Sequence, residues 1–346
     1  MGAAAVHGLL LCTCLCLLLA GASARPQRRH PRHDVLLPAP KSPTEGSGGG
    51  DSDGGDSEVG ATIVAAGFAK WVNISSRPAV RKLFNEAYMA EAVDISKTGF
   101  SATKCTPGTP PAAYIQSTLR RINFFRVCAH AAREEPPHWK CYKKEGAEAA
   151  GKSNLSLGTH GPDAVDSQMR ERKGSNYDVA HRRWLLYPNT PRMGVGGTDY
   201  FNEAFNYYGA TAVWIIDDST FSGPRPATRN KYVAWPPPGY VPYQVVWARW
   251  SFSYPGADFS AAKVTLRRGT TLLGVKREAP SGGSADNTLV WVANTQNSLY
   301  NEDRFEPWDK PTAVQKINVT ITGVKVPAST KLRTFSYLVQ IFDPAA

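Results

Sequence analysis

GSNYDVAHRRWLLYP, residues Gly174–Pro188, sets a single histidine, His181, at the mouth of a run that reads as a half-buried strand. Trp184, Leu186 and Tyr187 read as core or cleft wall, and Arg182 and Arg183 stand beside the imidazole. By residue type alone, a lone histidine at a strand start is more often a hydrogen-bonded structural group than a ligand. Just upstream, Pro162 to Glu171 reads as a short helix, with Val165 and Met169 four apart and Gly174 beyond its end.

Two further helices precede it. In SSRPAVRKLFNEAYMAEAV, Ser75 or Ser76 serves as the cap and Pro78 falls in the first turn, while Val80, Leu83, Phe84, Ala87 and Tyr88 share one face. Thr109-Pro110-Pro111 starts another, in which Ile115, Leu119, Ile122 and Phe125 recur at helical spacing.

Beyond Pro236-Pro237-Pro238 the period changes to two. Trp250, Phe252 and Tyr254 alternate with Arg249, Ser251 and Ser253, and Val264 and Leu266 alternate with Lys263, Thr265 and Arg267. Ile317, Val319 and Ile321 form a third stripe, and Phe335, Tyr337, Val339 and Ile341 a fourth. Short strands separated by Gly, Pro and Asn turns predict an Ig-like all-β sandwich.

The N-terminal end is of another kind. Leu9 to Ala20 is apolar but short for a bilayer span, and Gly21-Ala22-Ser23-Ala24 has the small-residue pattern of a secretory cleavage site. Residues 1–24 therefore read as a signal peptide, with secretion and no transmembrane span after cleavage as the expectation. Arg25 to about Gly60, first basic and then rich in Gly, Ser and Asp, reads as a disordered linker that buries too little apolar area to offset its ordering entropy.

The net charge of +11 is diffuse, and its densest cluster, RPQRRHPRH, lies in that linker. It reads as a solvated tail, and nucleic acid is not an expected partner. Cys12, Cys14 and Cys16 leave with the signal peptide, so Cys105, Cys128 and Cys141 supply one pair and one thiol in an oxidising compartment. Asn73, Asn154 and Asn318 each head an N-glycosylation triplet, and Asn318 falls on the polar face of its strand.

WKCYKKEGAEAAGKSNLSLG (Trp139–Gly158) followed by SNYDVAHRRWLLYP resembles the CAP superfamily, the group of cysteine-rich secretory proteins, venom antigens and plant pathogenesis-related proteins. The form is closest to that of bacterial and protist secreted proteins. LRRINFFR resembles the first long helix of that family, and the stretch from Arg225 resembles the β-rich extension that follows its domain. The resemblance implies an α-β-α sandwich over about residues 61–225, ahead of the β-sandwich over about 233–346.

It also implies a cleft of two histidines and two acids able to hold a divalent cation. Glu148 matches the first acid, His181 one histidine and Glu171 the second acid, although Gln168 stands where many members have tryptophan. The other histidine is replaced by Glu134 in REEPPHWKC, and His130 and His138 are near but out of register. The interval from Asn123 to Pro136 lacks a helix that the family has there, so that either a segment between Val127 and Glu134 has been lost from the sequence or the first domain truly lacks half of one helical layer. In this fold a Cys105–Cys141 disulfide would staple the N-terminal segment to the domain and contribute about 3 kcal/mol, with Cys128 free.

One imidazole and two carboxylates suit zinc best and leave positions for water. Each also has a plain reading: Glu148 as a partner of a basic side chain, Glu171 as a helix-end acid. A nucleophilic set of Ser153, His181 and Glu148 fails because Leu155 replaces the last glycine of the elbow motif. The expectation is a secreted, non-enzymatic binding module for lipid, sterol, a cell-surface or wall component or another protein, with a metal-dependent hydrolase as the rival. A third reading is an adhesin binding carbohydrate through Trp247, Trp250 and Trp291 of the C-terminal sandwich.

Overall fold

The structure is a computed structural model that describes residues 72–89, 109–125, 144–172, 174–190, 192–202, 207–216, 220–222, 224–280, 285–293, 306–327 and 329–346. Helix α1 (Arg77–Leu83) opens on Ser76, whose hydroxyl accepts the Ala79 N–H, with Pro78 in the first turn. It continues as a wider turn over Phe84–Tyr88, which stacks the rings of those two residues at 4.7 Å. Helix α2 (Ala112–Phe125) buries Ile122 and Phe125 of the expected face, leaves Ile115 and Leu119 half-buried, and also buries Tyr114 and Phe124.

Helix α3 (Lys144–Gly151) leads into strand β1 (Ser153–Leu157), and α4 (Gly161–Arg170) follows with Val165 and Met169 fully buried. The chain leaves α4 at Glu171 itself, which adopts the left-handed conformation (φ 54°), three residues before the expected glycine. Helix α5 (Ala180–Leu185) then carries His181, so the half-buried strand expected there is a helix. Strands β2 (Gly194–Asn202) and β3 (Tyr207–Trp214) complete an antiparallel sheet ordered β1-β3-β2.

The remaining chain is sheet. Strands β4 (Val233–Trp235), β5 (Gly239–Pro242), β6 (Arg249–Ser253), β7 (Lys263–Arg268), β8 (Thr271–Leu273), β9 (Val275–Arg277), β10 (Thr288–Ala293), β11 (Gln315–Val324) and β12 (Arg333–Phe342) follow in order. They form a four-stranded sheet β9-β10-β6-β4 and a five-stranded sheet β5-β12-β11-β7-β8. The predicted stripes fall in β6, β7, β11 and β12. Phe252 of the first sheet meets Phe335 of the second at 5.1 Å between ring centroids, and Trp250 lies 5.8 Å from Trp308.

These elements correct the expected architecture. Among the described residues the chain is mostly sheet, twelve strands in three sheets, with five α-helices of six to fourteen residues. That is not an α-β-α sandwich followed by an Ig-like sandwich. The physical reason is visible on β1: Asn154 and Ser156 turn toward α4, but Leu155 and Leu157 are 40% and 71% exposed. In a three-layer sandwich a second helical layer would cover those leucines.

All described residues belong to one compact unit, Gly60–Ala346. The interval at 225–233 is bridged by its hydrophobic core, since Phe125 of α2 packs edge-on against Trp235 at 5.3 Å and near Trp247 at 6.0 Å. The predicted polar face of β6 is buried as well: Arg249 is inaccessible and Ser251 nearly so, because α4 and α5 lie against it. No described helix is long and apolar enough to cross a membrane. The expected signal peptide and linker, Glu134, Cys105, Cys128 and Cys141 lie outside the described residues.

Candidate functional site

The left-handed turn at Glu171 reverses the chain so that the end of α4 faces the start of α5. Glu171, 1% exposed, places Oε2 3.0 Å from His181 Nδ1, and its Oε1 accepts the Arg182 backbone N–H at 3.0 Å. The His181 side chain keeps 31% of its surface open, so the ring is held at Nδ1 and stays partly open to solvent. From the other side, the Asn154 amide donates to the His181 carbonyl and to Gln168 Oε1, each at 3.1 Å, and Gln168 donates to Ser156 at 2.9 Å. Gln168 is thus the buried link between β1 and α4.

Two buried arginines frame the pair. Arg182 donates through Nε to the Met169 carbonyl (2.7 Å) and through Nη1 to the Arg249 carbonyl (2.8 Å) and Ser251 Oγ (3.3 Å). Arg249 Nη1 donates to the carbonyls of Glu171 and Asn176, and its Nε and Nη2 reach Glu278 Oε1 at 3.3 and 3.2 Å. The His–Glu pair is therefore seated on β6 through charge-assisted hydrogen bonds, which are stronger than neutral ones.

The negative charge of Glu171 holds the His181 pKa above the ordinary imidazole value of 6.5, with burial opposing it and Asp178 adding a smaller raise. A raised folded-state pKa means that the folded chain binds the proton more tightly than the unfolded chain. The pair's contribution to stability is fully present below about 6.5 and is lost as pH rises through the folded pKa. Substituting Glu171→Gln, which keeps an oxygen acceptor for Arg182, is expected to lower the His181 pKa in an NMR titration. It should also flatten the fall of the urea midpoint above neutrality. An unchanged His181 titration would show that Glu171 does not set it.

The expected metal set does not assemble. Glu148 sits on the exposed side of α3, where Lys152 donates to Oε1 at 2.7 Å and lowers its pKa, so it pairs with a lysine and not across a cleft from His181. Glu171 and His181 come together but are occupied with each other and with Arg182. No group of three His, Cys, Asp or Glu side chains suited to a metal ion occurs among the described residues, and Glu134, the fourth position of the expected set, lies outside them. Ser153 follows a helix and begins a strand, the reverse of the strand-to-helix order an elbow nucleophile needs.

The other predicted positions separate clearly. Asn73 and Asn318 are exposed, but Asn154 is inaccessible and hydrogen-bonded at both contacts given above, so the folded chain has no room for a glycan there. Trp247, Trp250 and Trp291 are at most 1% exposed and are core residues, which removes them as a carbohydrate platform.

Sequence reasoning missed a cavity of about 390 Å³. Its apolar wall includes Val80 and Leu83 of α1, Phe124 and Phe125 of α2, Trp235 of β4 and Val241 of β5. Asn123, Thr228 and Arg229 contribute polar groups, and Arg229 Nη2 donates to the Val72 carbonyl at 2.9 Å. Those residues come from segments more than a hundred positions apart, so no local pattern marks them. The nearest signal was the run of prolines before Gly239, an extended segment that cannot continue a helix.

A mostly-β chain with a solvent-edged His–Glu pair and a separate apolar cavity is the class that fold and site define. No family model matches the chain, and no curated protein matches it in sequence.

Proposed function

We propose that this chain is a binding module that holds a small apolar or amphipathic ligand in the cavity between α1, α2 and the β4–β5 segment. The observation that carries the reading is the cavity itself: its volume lies within the range of small-molecule sites, and a mainly apolar wall with a few polar groups is their usual lining. The resemblance of the two central motifs to CAP proteins raised lipid and sterol among several ligand classes, beside cell-surface or wall components and other proteins; the cavity is what favours the apolar ones. His181 and Glu171 serve in this reading to lock α4, α5 and β6 together.

Titrating the full chain with a fluorescent long-chain fatty acid, and separately with a fluorescent sterol, tests the proposal. Saturable one-to-one binding is expected for at least one probe. Leu83→Trp, which fills the cavity from α1, should weaken it about tenfold, the scale of roughly 1.4 kcal/mol. Absence of saturation with both probes, or binding indifferent to Leu83→Trp in a chain that still folds, would overturn it.

A further inference from the structure

The five-stranded sheet turns its apolar stripes inward and a different surface outward. Lys263, Thr265 and Arg267 of β7 and Lys316, Asn318, Thr320 and Thr322 of β11 stand on the outer face, with Lys263, Arg267, Lys316 and Asn318 exposed. Strands β5, β7, β8, β11 and β12 contain no aspartate or glutamate at all. Soluble surfaces normally intersperse both signs, whereas here the strands themselves carry bases and no acid, and the acids nearby, Asp258 and Asp343, lie outside the strands and beside Lys325 and Lys310.

Edge protection does not account for these cations, because lysines that block edge pairing sit on edge strands. Here the edges are β5 and β8, whereas Lys263, Arg267 and Lys316 are on the interior strands β7 and β11. The register pairs Arg267 with Asn318, Lys263 with Thr322 and Lys316 with Gln340, so no two cations are directly opposed. Arg267 and Lys316 are diagonal neighbours, about 7–8 Å apart, and Lys263 lies about 13 Å further along β7. Between them are the hydroxyls of Thr265, Thr320 and Ser336 and the amide of Asn318.

We propose that the outer face of the five-stranded sheet docks a linear sulfated polysaccharide. A row of spaced cations interleaved with hydroxyl and amide groups matches a chain that alternates sulfates with sugar hydroxyls. Single-stranded nucleic acid would call for aromatic platforms, and the outward positions of β7 and β11 carry none. A membrane would call for insertable apolar area, and Leu272 is the exposed leucine of the β7–β8 hairpin, too little for stable anchoring.

Binding of heparin to the full chain, made without N-glycosylation because Asn318 lies at the centre of the face, tests the assignment. The triple variant Lys263→Gln, Arg267→Gln, Lys316→Gln is compared with Lys82→Gln, Lys144→Gln, Lys276→Gln, which removes equal charge elsewhere. The sheet variant is expected to lose at least tenfold in affinity, with a log–log salt dependence shallower by about two, while the control changes little. Equal losses in both variants would assign the binding to overall charge and overturn the proposal. Duplex DNA or anionic vesicles binding as tightly as heparin, with the same loss in the sheet variant, would overturn the polysaccharide assignment.

Discussion

Arg182→Met is expected to destabilise the folded chain by about 3–5 kcal/mol, the cost of breaking a buried, hydrogen-bonded charge system. Arg182 is inaccessible to solvent and supplies donors to the carbonyls of Met169 and Arg249 and to Ser251 Oγ. Methionine preserves much of the volume, so the loss is not mainly a cavity effect. The carbonyls instead lose their donors in a place water does not reach, and each buried group so orphaned costs about 1–3 kcal/mol. Arg182→Lys should recover only part of the stability, since a single ammonium cannot reproduce the fork that serves Met169 and Arg249 together. Urea unfolding gives the measurement, and a double-mutant cycle with Arg249→Met should be non-additive because the two arginines share one network. A loss below 1 kcal/mol for Arg182→Met would mean that the guanidinium does not hold α5 on β6.

Gly239→Ala is the second large effect, with an expected cost of about 2–5 kcal/mol from backbone strain and overpacking. Gly239 has φ 92°, and an added Cβ would lie 2.4 Å from the Ile74 carbonyl oxygen and 2.8 Å from its carbon. That backbone cannot retreat freely, because the Ile74 carbonyl accepts the Tyr240 N–H at 2.7 Å. Ile74 and Tyr240 both line the apolar cavity, so the same substitution should weaken binding of whichever fluorescent probe saturates the wild-type chain. Thermal unfolding and the probe titration read the two consequences separately. A fully stable Gly239→Ala chain would show that the N-terminal segment is not held against β5 as described.

Much of the local structure was legible. Ser76 with Pro78, and Pro111 before Ala112, are start signals whose effect is confined to one turn, so α1 and α2 begin where their caps lie. The strands β6, β7, β11 and β12 follow from alternation. His181 was misread because Ala180–Leu185 is too short for a helical period to be told from an apolar run, and because α5 starts from Val179 in a left-handed conformation (φ 50°), which a β-branched residue seldom adopts.

The site was legible only in part. His181 and Glu171 were named and do meet, but Glu148 was placed with them on a motif whose expected layers the chain does not form. Asn154 shows the same limit from another side: its triplet is a glycosylation signal in sequence, and in the structure its amide is a buried bridge between Gln168 and His181.

What the sequence determined by itself was local: where helices start and which strand positions alternate. Only the tertiary structure decided which polar positions are buried. Arg249 occupies the polar phase of β6 and would be a surface residue in an isolated strand; α4 and α5 cover it, and Glu171, Asn176 and Glu278 satisfy it. The physical reason is range. Caps and periodicity act over a few residues, whereas the desolvation of a charge, the pairing of Glu171 with His181 and the closure of a cavity by α1, α2 and β5 depend on surfaces that only the packed chain brings together.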